Sequence, residues 1–246
     1  MREVVLIAAA SVRNNLRSKI AVALLLAVEL ICIAGLVAAL CLTAIEPAME
    51  AEILDRPTLE VYLSLVVYAV CLVGLGVNMN AFGFQTMTRE KSRGNIAALL
   101  ATPLQPSHIW LAKSLAVFLP GLVLGEVFGL ISLLAVNYVY FVPTTGFLLT
   151  PWAAISSFVV LPLIYLGMSL LAHIIGLTGN PATSNVIVQI FLPVFATLTI
   201  SLGVNHVLDV ASWPFTLVNL GLAVVIGVVA VLLQPRLTKE RIVLSR

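Results

Sequence analysis

The sequence has very little charge. Only 10% of its 246 residues are Asp, Glu, Lys or Arg, against about a quarter in an ordinary soluble domain, while 61% are hydrophobic. This balance excludes a water-soluble globule, and a net charge of +2 gives nucleic-acid binding no support. Cysteine is also scarce, and the three cysteines lie in apolar stretches without the spacing of a metal site. We therefore predict no bound metal in this chain.

The sequence also lacks the motifs of common catalytic sites. The phosphate-binding pattern G-x-x-x-x-G-K-[ST] does not occur, and neither do H-E-x-x-H and G-x-S-x-G. Asp55 and Asp209 are the only aspartates, so no Asp cluster for metal-dependent lipid chemistry exists. These absences disfavour an enzyme. An integral-membrane enzyme that acts on lipid is kept as the first alternative function.

Long uncharged stretches dominate the sequence instead. A bilayer helix needs about 20 apolar residues, and the longest stretch, between Ser114 and Leu208, is divided by clusters of proline and glycine. The pattern predicts an all-α, polytopic membrane protein with a single transmembrane domain, 1–246. Its six predicted spans are residues 20–43, 61–84, 110–136, 153–175, 185–204 and 215–233.

The basic residues collect on one side of these spans. Apart from Arg56, every Lys and Arg precedes the first span, lies between spans two and three or at the start of span three, or follows span six. Because Lys and Arg are enriched in cytoplasmic loops, we expect a multi-pass protein of the cell (plasma) membrane with both termini in the cytoplasm. Residues 234–246 would form a basic cytoplasmic tail, and an even number of spans is favoured.

Residues 1–19 are predicted to form an amphipathic helix. Val5, Val12 and Leu16 cluster on one side of a helical wheel, displaced from most of the charged residues. We expect an interfacial helix with this side in lipid and its arginines near anionic headgroups. An ordinary basic flank of the first span is the alternative.

The segment between spans two and three, residues 85–113, has an internal pattern. Gly94 is expected to interrupt the helix, and Asn95 is placed to cap a new one. Pro103 would end this short helix, and Pro106 can occupy the first turn of the next. The short helix has an apolar stripe of Ile96, Leu99 and Leu100. This stripe must be buried, either on the chain's own bundle or on a partner subunit.

Within this segment a Glu is followed four residues later by Gly, then by a Leu-Leu pair, a Pro and a Lys that opens the next helix. The matching residues are Glu90, Gly94, Leu99, Leu100, Pro103 and Lys113. Together with the predicted interfacial helix, six spans and small outer loops, this pattern resembles the permeases of the type-two class of ABC exporters. Asn95, Ala97 and Ala98 depart from the Thr and the acidic residue that are usual in that family.

The resemblance implies a membrane-spanning permease subunit of an ATP-driven ABC exporter. Its expected partners are cytoplasmic ABC ATPase subunits, which carry the ATP and Mg, a second permease half, identical or different, and membrane lipid. The chain itself would hold no cofactor and no catalytic residue, and residues 85–113 would form a coupling loop seated in the ATPase. The residues that the resemblance assigns to ATPase coupling are Glu90, Arg93, Gly94, Ile96, Leu99, Leu100 and Pro103.

Glu29 and Glu126 are the only acidic side chains predicted inside the spans. An intramembrane carboxylate is energetically unfavourable, so each is a candidate for a translocation pathway; a neutral carboxyl group hydrogen-bonded to a neighbouring helix is the alternative. The stripe Gly121, Gly125 and Gly129 predicts close packing of span three beside Glu126. Further pathway candidates, for which interhelical hydrogen bonding is the alternative, are Asn78, Asn80, His173, Asn185 and Gln189.

A secondary transporter or a channel is the second alternative function. Spans one to three and four to six show no internal match that would indicate inverted repeats. The lack of basic residues in the spans, apart from Lys113 at the start of span three, favours a lipid-like, amphiphilic or small cationic substrate over a large anion.

Overall fold

The computed structural model describes residues 2–50, 55–179, 181–205 and 207–244, and their side chains except those of residues 80–89, 92, 181–185, 187 and 188. Every element of regular structure in these residues is helical, so the predicted all-α class is confirmed. In chain order the helices are α1 (Arg2–Asn15), α2 (Lys19–Glu50), α3 (Arg56–Ser92), α4 (Asn95–Leu100), α5 (Pro106–Phe141), α6 (Pro151–Thr178), α7 (Pro181–Val204), α8 (Trp213–Leu233) and α9 (Lys239–Leu244).

Five helices in the described residues are long and apolar enough to cross a membrane. They are α2, the Arg56–Met79 part of α3, α5, α6, and α8 with the turn that follows it. They coincide with five of the six predicted spans. The described apolar part of α7, Gln189–Val204, is shorter than a membrane span, so the sixth crossing stays a prediction.

Caps and prolines set several helix ends. The hydroxyl oxygens of Ser18 and Ser212 accept hydrogen bonds from backbone N–H groups in the first turns of α2 and α8, each with an N–O distance of 3.4 Å. Pro106 and Pro151 lie in the first turns of α5 and α6, where their missing N–H groups cost no intrahelical hydrogen bond. The helix ends thus follow from local sequence.

π-helical turns interrupt α2 at Cys41–Ile45 and α6 at Ser156–Val160, and a third forms the end of α5 at Asn137–Phe141. The turn at Ser156–Val160 ends two residues before Pro162, which has no N–H to donate, so the wider turn accommodates the missing hydrogen bond. The π-helical turn at the end of α5 is held by Asn137, whose side chain bonds both the N–H and the C=O of Leu148.

Helix α3 lies at the centre of the bundle. Its most extensive contact is with α5, and it also packs on α2, α6 and α7. Residues 63–72 of α3 are buried on every side of the helix. Helix α8 packs on α6, and α1 lies along α5. The end of the bundle that carries Lys91, Lys113 and Lys239 is called the basic end below.

The boundaries of the basic end differ in two ways from the sequence prediction. The helix of the second span does not end near residue 84 but continues to Ser92, because the sequence has no proline between Pro57 and Pro103 and no glycine between Gly83 and Gly94. Gly94, and not Asn95, is the N-cap of α4; it has a left-handed backbone with φ of 75°, which favours glycine. Helix α4 ends before Pro103, and α5 begins at Pro106, as predicted.

Helix α1 is fixed to the bundle by its small residues. Val4 and Ala8 are buried against the start of α5, and the Glu3 carboxylate lies 3.0 Å from Nδ1 of His108. Val5 and Leu16, which belong to the predicted lipid-facing side, are exposed. A position of α1 at the membrane surface stays a prediction.

Candidate functional site

Two of the pathway candidates form a buried polar pair. Glu29 of α2 and Asn78 of α3 both have no exposed surface, and Nδ2 of Asn78 donates to Oε1 of Glu29 at 2.7 Å. The same amide nitrogen donates to the carbonyl oxygen of Gly74 at 2.8 Å. The pair joins α2 to the central helix, as the hydrogen-bonding alternative for these residues predicts.

This polar pair lies beside the closest crossing of two helices. A Cβ atom placed on Gly74 would come within 2.9 Å of Cα of Gly125 on α5 and 3.5 Å of Oε1 of Glu29. Glu126, the next residue on α5, is half-buried. The two intramembrane carboxyl groups thus belong to one neighbourhood, around the contact of α2, α3 and α5.

The glycine stripe on α5 packs as predicted. A Cβ on Gly121 would lie 3.1 Å from the Asn78 side chain, and a Cβ on Gly125 would lie 3.0 Å from that of Leu75. A Cβ on Gly129 would collide with the sulfur of Cys71. All three neighbours are on α3, so small residues allow the two helix backbones to approach closely.

The remaining pathway candidates do not join this site. Gln189 lies on an exposed face of α7, and the side chains of Asn185 and Asn80 lie outside the described residues. His173 is buried in α6, where its Nδ1 donates to the carbonyl oxygen of Ser169, one turn earlier in the same helix, at 2.7 Å. Of the predicted pathway set, the structure therefore brings together Glu29 and Asn78, with Glu126 nearby.

The sequence interpretation missed a second set of buried polar contacts around α3. The hydroxyl of Tyr68 donates to Oδ1 of Asn219 on α8 at 3.0 Å, and that of Tyr165 on α6 donates to the carbonyl oxygen of Leu72 at 2.6 Å. A tyrosine in the middle of an apolar span, away from the membrane surface, was the available signal, since a buried hydroxyl needs a partner.

At the basic end, the short helix α4 is packed on the chain's own bundle. Ile96 and Leu100 are only 4% and 6% exposed, and they join an apolar cluster with residues of α5, α6, α8 and α9. Trp110 of α5 belongs to this cluster, and its indole N–H donates to the carbonyl oxygen of Leu170 on α6 at 2.8 Å. Of the two open alternatives for the apolar stripe, the chain's own bundle is therefore the one that buries Ile96 and Leu100.

Two lysines tie the end of α3 to its neighbours. The ammonium group of Lys113 on α5 bonds Glu90 at 2.7 Å, and both side chains are largely buried. Nζ of Lys91 donates to carbonyl oxygens at the end of α6, among them that of Gly179 at 2.6 Å. Such carbonyls have no partner within the helix, and burial lowers the pKa of Lys91. Glu90, one of the residues predicted for ATPase coupling, is thus ion-paired with Lys113 of its own chain.

The tail helix α9 also packs on α4. Nζ of Lys239 donates to the carbonyl oxygens of Leu100 and Thr102, at 3.0 and 3.2 Å, at the end of α4. Ile242 is buried in the same apolar cluster. A shallow cavity remains between the two helices, lined by Lys91, Ile96, Ala97, Leu100, Ile242 and Val243.

The opposite side of this short helix is open. The exposed residues on and around α4 are Arg93, Asn95, Ala98, Ala101, Thr102 and Pro103, whereas Gly94 and Leu99 are half-buried. Of the residues proposed for coupling, Arg93 and Pro103 thus present the most surface.

Comparison with protein-family models, with curated proteins and with solved structures gives no match for this chain.

Proposed function

We propose that this chain is the membrane-spanning permease subunit of an ATP-driven ABC exporter, which couples ATP hydrolysis on a separate ATPase subunit to movement of a substrate across the membrane. The proposal places the basic end in the cytoplasm of a plasma-membrane protein and counts α7 as the sixth crossing. It rests on the resemblance of residues 85–113 and on the five helices of membrane length.

The observation that supports this function best is that α4 is packed on the bundle on one side and exposed on the other. One side is anchored through Ile96 and Leu100 to a cluster that contains residues of four other helices. The other side, with Ala98 and Pro103, is exposed. A short rigid helix of this kind suits a force-transmitting contact, because a push on its exposed side is passed directly to the membrane helices.

The connections at the basic end extend this support. The Glu90–Lys113 ion pair links α3 to α5, and Lys239 links the tail helix to α4. Closure of the ATPase subunits around ATP would displace α4 as a rigid body, and these links would carry the displacement into the bundle. A second permease half would complete the pathway, and its substrate stays open among lipid-like, amphiphilic and small cationic molecules.

The experiment that tests this function is copurification of the tagged chain from its native membrane, with identification of bound proteins and an ATPase assay. We expect an ABC ATPase to copurify with the wild type. Ala98→Arg puts a bulky charge on the exposed side of α4, so we expect the ATPase to be lost while the permease keeps its thermal unfolding midpoint.

Two controls separate docking from folding. Thr144→Arg places the same side chain on an exposed turn after α5, at the opposite end of the bundle, and should leave the ATPase bound. Ile96→Ala removes packing inside the chain and should lower the unfolding midpoint. If no ATPase copurifies with the wild type, or if Ala98→Arg leaves it bound, the coupling role of α4 is wrong and a secondary transporter, channel or lipid enzyme becomes the better hypothesis.

A further inference from the structure

Glu29 and Asn78 each keep one buried oxygen without a hydrogen-bond partner among the described residues. These atoms are Oε2 of Glu29 and Oδ1 of Asn78. Both side chains are completely buried, and their other polar atoms are joined by the 2.7 Å hydrogen bond. Buried polar atoms are nearly always paired, so two unpaired oxygens on touching side chains call for a chemical explanation.

The orientation of the Asn78 amide is fixed by the backbone. The carbonyl oxygen of Gly74 can only accept, and the amide atom 2.8 Å from it must therefore be the NH₂ group. The second hydrogen of this NH₂ group points to Oε1 of Glu29. A reversed amide would set two acceptor oxygens against each other. Oδ1 of Asn78 is consequently an acceptor that needs a donor.

A proton on Glu29 would supply that donor. A carboxylic acid has one accepting oxygen and one O–H donor, and a primary amide has the complementary pair. The two groups can form a reciprocal pair with two hydrogen bonds, of which the N–H to Oε1 bond is already present. We propose that Glu29 is a proton-binding site: its Oε2 carries a proton that is donated to Oδ1 of Asn78, and the reciprocal pair holds α2 to α3.

The charges around the site favour the neutral acid. The nearest cationic positions on the three helices that meet here are Lys19, Arg89 and Lys113. Lys19 is ten residues from Glu29, Arg89 is eleven from Asn78, and Lys113 is eight from Gly121, the residue of α5 that contacts Asn78. At 1.5 Å per residue each is about 12 Å or more along its helix from the pair. The nearer titratable groups are Cys71 on α3 and Glu126 on α5, which bring no positive charge. An ionised Glu29 would thus be a buried charge without a counter-ion, which is strongly disfavoured.

Infrared difference spectroscopy of the full chain in lipid nanodiscs at neutral pH tests this site. Glu29→Gln preserves the reciprocal hydrogen bonds, because its amide has the same arrangement of donor and acceptor, so this variant should keep the wild-type unfolding midpoint. Subtracting its spectrum from that of the wild type should leave the carbonyl band of a protonated carboxyl group. A difference spectrum that contains only ionised carboxylate bands would overturn the proposal.

Two further variants assign the band. Glu126→Gln should leave the Glu29 band in place, which separates the two carboxyl groups of this neighbourhood. Asn78→Leu removes the amide partner, so the Glu29 carbonyl band should move to higher frequency as its hydrogen bond is lost. A band that stays unmoved in Asn78→Leu would contradict the pairing. These outcomes do not depend on whether an ATPase binds the chain.

Discussion

Helices α2 and α3 each contain an apolar window of membrane length, but α2 is peripheral in the bundle and α3 is central. The more apolar of the two is α2, yet only 11% of the residues in its most apolar window are buried, against 72% for α3. In water this order would be surprising. In a bilayer, lipid is as apolar as a leucine side chain, so hydrophobicity does not decide which helix becomes central.

Small and polar side chains make the difference between the two helices. Helix α3 contacts α5 through Gly74, and it exchanges hydrogen bonds with other helices through Tyr68 and Asn78. Helix α2 contributes two polar partners, Glu29 and, near its end, Glu46, which accepts from the Tyr140 hydroxyl of α5, and a short stripe that includes Ile33 and Leu40. The central position of α3 therefore follows from close backbone approach and interhelical hydrogen bonds.

The largest effect is expected when Gly74 of α3 is replaced by a large residue. Gly74→Leu would force its Cβ to 2.9 Å from the backbone of Gly125, so α3 and α5 must separate, at a cost of about 3 kcal/mol or more. Gly35→Leu on α2 is the matched control, because no atom lies within 4 Å of its added Cβ. Thermal unfolding and size-exclusion profiles in detergent compare them. Equal stability of the two variants would contradict the close crossing.

Much of this architecture could be predicted from the sequence. The uncharged stretches marked five membrane-length helices, and Gly121, Gly125 and Gly129 marked the face of α5 that approaches another helix. Pro106 marked the start of α5. These predictions succeeded because each depends on a local property: length, side-chain volume or a missing N–H group.

The partners of the candidate site residues could not be predicted. Nothing local to Glu29 indicates that it faces Asn78, since either residue could satisfy its polar groups on several other helices. The contact of Lys239 with α4 joins segments far apart in the sequence. Whether Ile96 would pack on its own bundle or on a partner depended equally on the tertiary arrangement, which the local pattern does not contain.

A second, intermediate effect is expected at the basic end of α3. Glu90→Ala would leave the largely buried ammonium group of Lys113 without its carboxylate, at a cost of about 2 kcal/mol, between the values for exposed and fully buried ion pairs. Lys19→Ala, at the exposed start of α2, should change stability by less than about 0.5 kcal/mol.

The charge-swapped double variant Glu90→Lys with Lys113→Glu sharpens this test. It restores opposite charges at the same positions, so it should regain part of the stability that either single reversal removes. Unfolding midpoints of the four proteins of the double-mutant cycle give the coupling. If the stability loss of the swapped protein equals the sum of the losses of its two single reversals, the ion pair contributes little.

A third, smaller effect is expected from single hydroxyl groups. Tyr68→Phe leaves Oδ1 of buried Asn219 without its donor, and we expect a loss of about 1 kcal/mol, within the range for interhelical hydrogen bonds in membranes. Thr43→Val on α2 removes a hydroxyl that bonds only Ala39 in its own helix at an exposed position, so its loss should be under about 0.5 kcal/mol. Equal losses in the two unfolding curves would mean that polar contacts do not distinguish α3 from α2.

The smallest effect is expected on the open face of α2, where Leu24 is 63% and Ile31 is 71% exposed. Leu24→Ala with Ile31→Ala should change the free energy of unfolding very little, by about 0.5 kcal/mol or less, because truncated side chains that face lipid leave no cavity inside the bundle. Native mass spectrometry from nanodiscs should give the same oligomeric mass for the wild type and the variant. A variant that keeps its midpoint but loses a partner copy would contradict this assignment to lipid. It would show that the proposed second permease half binds the open face of α2, and that the peripheral helix of one chain becomes an inner helix of the assembly.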